Sequence, residues 1–159
     1  MVGILMRAVT YSALFIGFLL VYLPAQALSW AGIGRPDRPG LLQIVGAVAT
    51  LVGGLIAVWC VLSFAVIGRG TPAPFDPPRR LVVRGPYRYV RNPMYLGATL
   101  ALAGAALFYL SGALLAYAAV FFLLMFALVV WYEEPTLRQT FGEDYEAYCR
   151  KVRRWLPAR

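Results

Sequence analysis

The sequence predicts an all-α integral membrane protein: four transmembrane helices followed by a C-terminal amphipathic cytoplasmic helix, built as a single domain over residues 1–159. Three observations predict it. Hydrophobic residues make up 61% of the chain, against about 45–50% in an ordinary soluble domain. The excess is gathered into four runs, each close to the ~20 residues that a helix needs to cross a hydrocarbon core. Beyond Tyr132 the chain becomes charged, and Leu137, Phe141, Tyr145, Tyr148 and Val152 recur at spacings of 4, 4, 3 and 4, which is one face of an amphipathic helix.

The first span is expected at about Ala8–Trp30. Arg7, the apolar run and Ala25-Gln26-Ala27 have the outline of a cleaved signal peptide, but the run is read as a retained span. The second span is expected at about Leu41–Ile67, the third at Pro93–Leu110 and the fourth at Ala113–Tyr132. Only Ser111-Gly112 separates the last two, so they should form a tight antiparallel hairpin. Residues 68–92 form a loop stiffened by five prolines, and its Leu81-Val82-Val83 is a short extended segment able to dock on the bundle. Structureless loops of this length are uncommon and often functional, so a plain linker and a functional loop both stay open. Residues 133–159 form the tail.

Charge sets the orientation. The chain has 15 basic and 7 acidic residues, a formal net charge of +8, and Lys151 is its one lysine. Such a balance can mark nucleic-acid binding. Beside long apolar runs it points to anionic lipid headgroups and to topology, since basic residues favour the cytoplasmic side. Four spans place Arg7, the 68–92 loop and the tail on one side, thirteen basic residues against Arg35 and Arg38 on the other. The termini and the long loop are therefore expected in the cytoplasm, with the lipid bilayer as a partner and no nucleic acid. Arg150, Lys151, Arg153 and Arg154 read as headgroup contacts at the end of the tail helix.

The chemistry is narrowed by what is missing. There is no histidine and no CxxC, so no metal site is expected, and the usual general base near neutral pH is absent. Cys60 and Cys149 are expected at depths too different to pair. Carboxylates, arginines, tyrosines and backbone groups must do any chemistry.

Two segments offer such groups. In GPYRYVRNPMYLG, residues 85–97, Asn92 suits a helix N-cap and Pro93 the first helical position. Tyr87, Tyr89 and Tyr95 suit an interfacial aromatic belt, so a plain anchored helix start explains this stretch on its own. Glu133 and Glu134 are different. They close the fourth span, where the helix dipole and the cytoplasmic edge both favour basic residues, and an ionisable group at a membrane edge needs a partner. Arg91 and Arg138 are the candidates. A structural ion pair and a cation-binding site for a ligand both remain open. The hairpin brings residues 85–95 and 133–137 to one membrane face, a place suited to a polar, partly cationic ligand from the cytosol and an amphiphile from the bilayer.

Taken together, GPYRYVRNPMYLG, the apolar hairpin and EEPTLRQTFGEDYEAYCRKVRRWLP resemble the isoprenylcysteine carboxyl methyltransferase and phospholipid methyltransferase family across residues 68–157. That family's signature is an Arg-His-Pro-x-Tyr segment, a hydrophobic hairpin, and a Glu-Glu pair followed by Leu, Phe-Gly and spaced tyrosines. The resemblance implies a membrane enzyme that uses S-adenosylmethionine to methylate a lipophilic or amphiphilic acceptor, such as a prenylcysteine-like carboxylate. It implies catalytic roles for Arg91 and Glu133, and a cofactor pocket drawn from Tyr87, Asn92, Pro93, Tyr95, Gly97, Glu134, Leu137, Phe141 and Tyr145. Asn92 stands where many members have histidine, and it cannot titrate. A carboxylate acceptor needs no base and an amine acceptor does, so the missing histidines lean toward a carboxylate, a thiol or another easily deprotonated acceptor. The alternatives are a phospholipid N-methyltransferase, an NADPH-dependent sterol-type reductase and a non-enzymatic lipid-binding protein.

Overall fold

The computed structural model of the chain describes residues 17–68 and 80–157, with Thr10 and Leu14 ahead of them. Parts of the expected first span and of the 68–92 loop, including Arg69 and Arg79, lie outside the described residues. Within them the protein is all-α.

Helix α1, Leu23–Trp30, continues a π-helical turn, Gly17–Tyr22. Helix α2, Leu41–Ser63, runs on through a second π-helical turn, Phe64–Gly68. A 3₁₀ turn at Gly85–Arg88 precedes α3, Pro93–Tyr109. Helix α4, Gly112–Leu128, passes through a third π-helical turn, Val129–Glu133, into α5, Glu134–Lys151. Two continuous helices, Leu41–Gly68 and Gly112–Lys151, are long and apolar enough to cross a bilayer; Gly17–Trp30 and Pro93–Tyr109 are shorter apolar helices.

The hairpin forms as expected, with borders shifted by one residue. Leu110 adopts the left-handed conformation, φ 50°, which lets the Ser111 amide reach back to the Ala106 carbonyl at 2.9 Å. The Ser111 hydroxyl then accepts from the Leu114 amide at 3.2 Å, capping α4.

Helices α2 and α3 touch backbone to backbone. A Cβ on Gly97 would lie 2.8 Å from the Gly53 carbonyl oxygen and 2.9 Å from Ile56 Cγ2, and one on Gly46 would lie 2.6 Å from the Gly104 oxygen. Thr50 adds a hydroxyl bond to the Ala101 carbonyl at 3.2 Å. Small residues permit this close approach. Gly97, Ala101 and Gly104 are the α3 residues that meet Gly53, Thr50 and Gly46. The α1 segment closes the other side: Leu19 and Leu20 pack on Ala98, Leu102, Ala118 and Phe121, and the Tyr117 hydroxyl donates to the Leu19 carbonyl at 2.8 Å.

Two further expectations change. The fourth span and the tail helix are continuous, because the π-helical turn carries the backbone past Glu133 without a break; α5 instead bends at Gly142, whose φ of 50° and ψ of −122° leave the helical region. Asn92 occupies the N-cap position of α3 but its side chain makes no cap bond. Its amide nitrogen donates to the Arg154 carbonyl at 3.2 Å instead.

Candidate active site

The site lies where α3 begins and α4 ends. Four elements meet there: the 3₁₀ turn with residues 89–92, the first turn of α3, the π-helical turn, and α5 with the chain after it. Leu81 and Val82 line this region as expected: Val82 packs with Cys60 and Tyr87, and Leu81 against the tyrosine face of α5. Cys60 and Cys149 are both free thiols.

The expected face of α5 is present. Tyr145, Tyr148 and Val152 are buried together, with Leu137, Phe141, Leu81 and Cys149 packed on them. Tyr148 donates its hydroxyl to the Tyr87 carbonyl at 2.6 Å, tying α5 to the 3₁₀ turn. Tyr87 itself is buried and meets Phe64 edge-on at 5.3 Å. Gly85, with φ +61°, lets that turn pass over Trp59 and Ser63, whose side chains lie 3.4 and 3.2 Å from where its Cβ would be.

The two acids are neighbours in sequence with separate partners. Glu134 is 3% exposed. Its Oε1 accepts from Arg154 Nε at 2.7 Å and its Oε2 from Arg154 Nη2 at 2.8 Å. Arg91 Nη2 lies 3.1 Å from Oε1 and Arg138 Nη2 lies 3.6 Å from Oε2. Burial opposes the Glu134 charge, but the Arg154 hydrogen bonds and the charges of Arg91, Arg154 and Arg138 outweigh it and hold its pKa below 4.5. Glu133 closes the π-helical turn, directly after Tyr132. It accepts from the Tyr95 hydroxyl. Burial pushes its pKa above 4.5, the Tyr95 bond opposes that rise, and the Glu134 charge adds to it.

Arg138 extends outward. It holds Glu146 through Nε at 2.8 Å and lies over the Tyr145 ring at 5.8 Å. Arg91 points inward; its side chain is 11% exposed, and its Nε–H is buried without an acceptor among the described residues. A buried donor of this kind is uncommon.

The structure therefore joins Arg91 with Glu134, Tyr95 with Glu133, and Leu137 with Phe141 and Tyr145. Asn92 and Pro93 are buried at the start of α3 beside this centre. Gly97 stands apart: it faces the α2 backbone, where even a methyl has no room, rather than a pocket. Arg154 is the residue the sequence reading misplaced. Instead of meeting headgroups it turns inward, because Val152 leaves the helix in an extended conformation, φ −125° and ψ 127°, and the following chain folds back over residues 91–92 and onto α4. The Arg91 amide donates to the Arg153 carbonyl at 2.9 Å, and Trp155 stacks on Phe126 at 5.7 Å and meets Phe122 at 5.2 Å.

Fold and site define an all-α protein with bilayer-length helices and a buried arginine–carboxylate–tyrosine centre at one end of a helical hairpin. Residues 41–144 match the phospholipid methyltransferase family model, and the chain belongs to that family. It is 31% identical over 128 residues to proteins of Oryza sativa subsp. indica and subsp. japonica, each named a probable protein-S-isoprenylcysteine O-methyltransferase; the match covers 73% of this chain and 61% of each relative. The chain thus spans about three-fifths of the curated relatives it matches. No solved structure matches it.

Proposed function

We propose that the protein is a membrane methyltransferase that moves a methyl group from S-adenosylmethionine to a lipophilic or amphiphilic carboxylate, with its site on the cytoplasmic face. The observation that carries this reading is the pairing of Tyr95 with Glu133 beside Arg91 and Glu134 at the end of the hairpin, in a chain of this family. Four spans, with α1 and α3 completing the set begun by the two long helices, agree with the basic residues at the site's end of the bundle.

The residues suit the cofactor. S-adenosylmethionine brings an activated methyl on a sulfonium, an ammonium and a carboxylate. Glu133 has only Tyr95 as a donor among the described residues, so it can accept from an ammonium. Glu134 already has both oxygens on arginines, which favours Glu133 over Glu134 for that contact. Tyr87, Pro93, Leu137, Phe141 and Tyr145 supply walls that exclude water. Arg91 offers its unpartnered Nε–H to the acceptor carboxylate and orients it. In-line displacement at a methyl mainly needs alignment and dryness, and an ionised carboxylate needs no base.

The test is radiolabelled methyl transfer by the purified protein in lipid nanodiscs, offered N-acetyl-S-farnesylcysteine or phosphatidylethanolamine. The expected product is a base-labile ester on the carboxylate. Label in the phospholipid amine alone would move the reading to an N-methyltransferase, with Glu133 as the proton acceptor. Absence of saturable S-adenosylmethionine binding, with binding of NADPH, would support the reductase instead.

A further inference from the structure

We infer that Arg154 is a positioning residue: by occupying Glu134 it keeps the Nε–H of Arg91 available for the acceptor carboxylate. This rests on the reading of Arg91 given above. The argument is a competition for two oxygens. Arg154 takes Glu134 through its Nε and Nη2, at 2.7 and 2.8 Å, one donor to each oxygen. That parallel fork is the strongest way for a guanidinium to hold a carboxylate. Among the described residues Arg91 is left with a single, longer contact to Glu134 through Nη2 at 3.1 Å, and its Nε–H stays buried and unpaired.

Without Arg154 the more buried Arg91 faces a carboxylate with two newly exposed lone-pair directions. A rotation about its terminal torsions converts its one contact into a fork and removes the unpaired donor. The arginine that serves the ligand is then captured by the protein's own acid. The tail enforces the arrangement: Arg91 N–H to the Arg153 carbonyl and Asn92 Nδ2 to the Arg154 carbonyl fix the chain on either side of the Arg154 side chain.

Rescue separates this role from a purely structural one. If Arg154 acts by occupying Glu134, then neutralising Glu134 removes the captor and Arg154 is no longer needed. If Arg154 only fastens the tail, Glu134→Gln repeats the damage and cannot repair it.

The experiment measures binding of N-acetyl-S-farnesylcysteine and of its methyl ester by calorimetry, in nanodiscs saturated with S-adenosylhomocysteine. The wild type should prefer the carboxylate over the ester. Arg154→Ala should lose that preference by about tenfold or more, the worth of one charge-assisted hydrogen bond. Arg154→Lys, which keeps the charge without the fork, should lie between. The double variant Arg154→Ala with Glu134→Gln should regain the preference. An unchanged preference in Arg154→Ala, or a double variant no better than the single one, overturns the inference while the methyltransferase reading stands. A wild type that takes up S-adenosylhomocysteine but does not distinguish acid from ester overturns both the inference and the carboxylate reading. Failure of the wild type to bind S-adenosylhomocysteine overturns the methyltransferase reading and the inference built on it.

Discussion

The hydroxyl of Tyr95, on the first turn of α3, donates to the carboxylate of Glu133, in the π-helical turn at the end of α4. The two residues are 38 positions apart. They meet because the hairpin returns the chain to the end of the bundle it left. A π-helical turn is uncommon and often marks a functional site, and here it sets two consecutive acids toward different partners.

Removing the Tyr95 hydroxyl tests this contact. Burial already pushes the Glu133 carboxyl above 4.5, and the Tyr95 bond is what opposes the rise. A raised carboxylate binds an ammonium above its pKa and loses that ability as pH falls through it. Tyr95→Phe should therefore move the acid limb of S-adenosylhomocysteine affinity to higher pH, because the contact that lowers the Glu133 pKa is gone. A calorimetric titration series across pH checks it, and superimposable profiles for the two proteins would remove Tyr95 from the site.

Glu134 should behave in the opposite manner. Its folded pKa lies below 4.5, so its stabilising contribution is complete above that value and disappears as pH falls through the lower, folded one. Glu134→Ala should cost about 3–5 kcal/mol at neutral pH, because the largely buried Arg91 loses its counter-charge. Thermal unfolding in detergent from neutral pH downward should show the wild type approaching the variant in acid. A constant gap between them would mean that Glu134 is not the titrating group.

Much of this centre was legible beforehand, for a physical reason. Two acids at a helix end that should be basic violate local preference, and only a tertiary partner explains them. Arg91 and Arg138 could be named as those partners because one lies at the facing end of the hairpin and the other four residues along the same helix. Arg154 could not. Its contact with Glu134 depends on the extended conformation of Val152 and on main-chain bonds from Arg91 and Asn92, which leave no periodic trace. Gly97 carries two readings, a cofactor-pocket place and a close helix contact, and its surroundings account for the second. Its place in the signature stretch suggested a ligand, whereas its need for no side chain is set by Gly53 on α2, whose partner face carries no sequence mark beyond small residues.

That packing carries its own expectation. Gly97→Ala drives a methyl to 2.8 Å from the rigid Gly53 carbonyl, so it should destabilise by about 1–3 kcal/mol, the usual cost of overpacking. Gly54→Ala, one residue along α2 from Gly53 and with nothing among the described residues within 4 Å of its Cβ, should be neutral or gain about 0.5–1 kcal/mol from helix propensity. Thermal unfolding of the two variants side by side gives the answer, and equal shifts would refute the close α2–α3 contact.

The last test concerns the chain after α5. Val152 is buried among the tyrosines, Arg154 pairs with Glu134, and Trp155 stacks on Phe126 and meets Phe122 on α4. The aromatic contact is the part that fastens the tail without touching the ion pair. An aromatic pair is worth about 0.5–1.5 kcal/mol beyond the area it buries, and that energy sets how often the segment opens. Trp155→Ala should speed carboxypeptidase release of the C-terminal residues by about tenfold, while Trp155→Phe, which retains a ring for stacking, should remain near the wild-type rate. Saturating S-adenosylhomocysteine should slow release in both variants if the tail closes over the same centre that Glu133 and Tyr95 form. Identical release from all three proteins would show that Trp155 does not hold the tail, leaving that work to Val152 and the backbone bonds from Arg91 and Asn92.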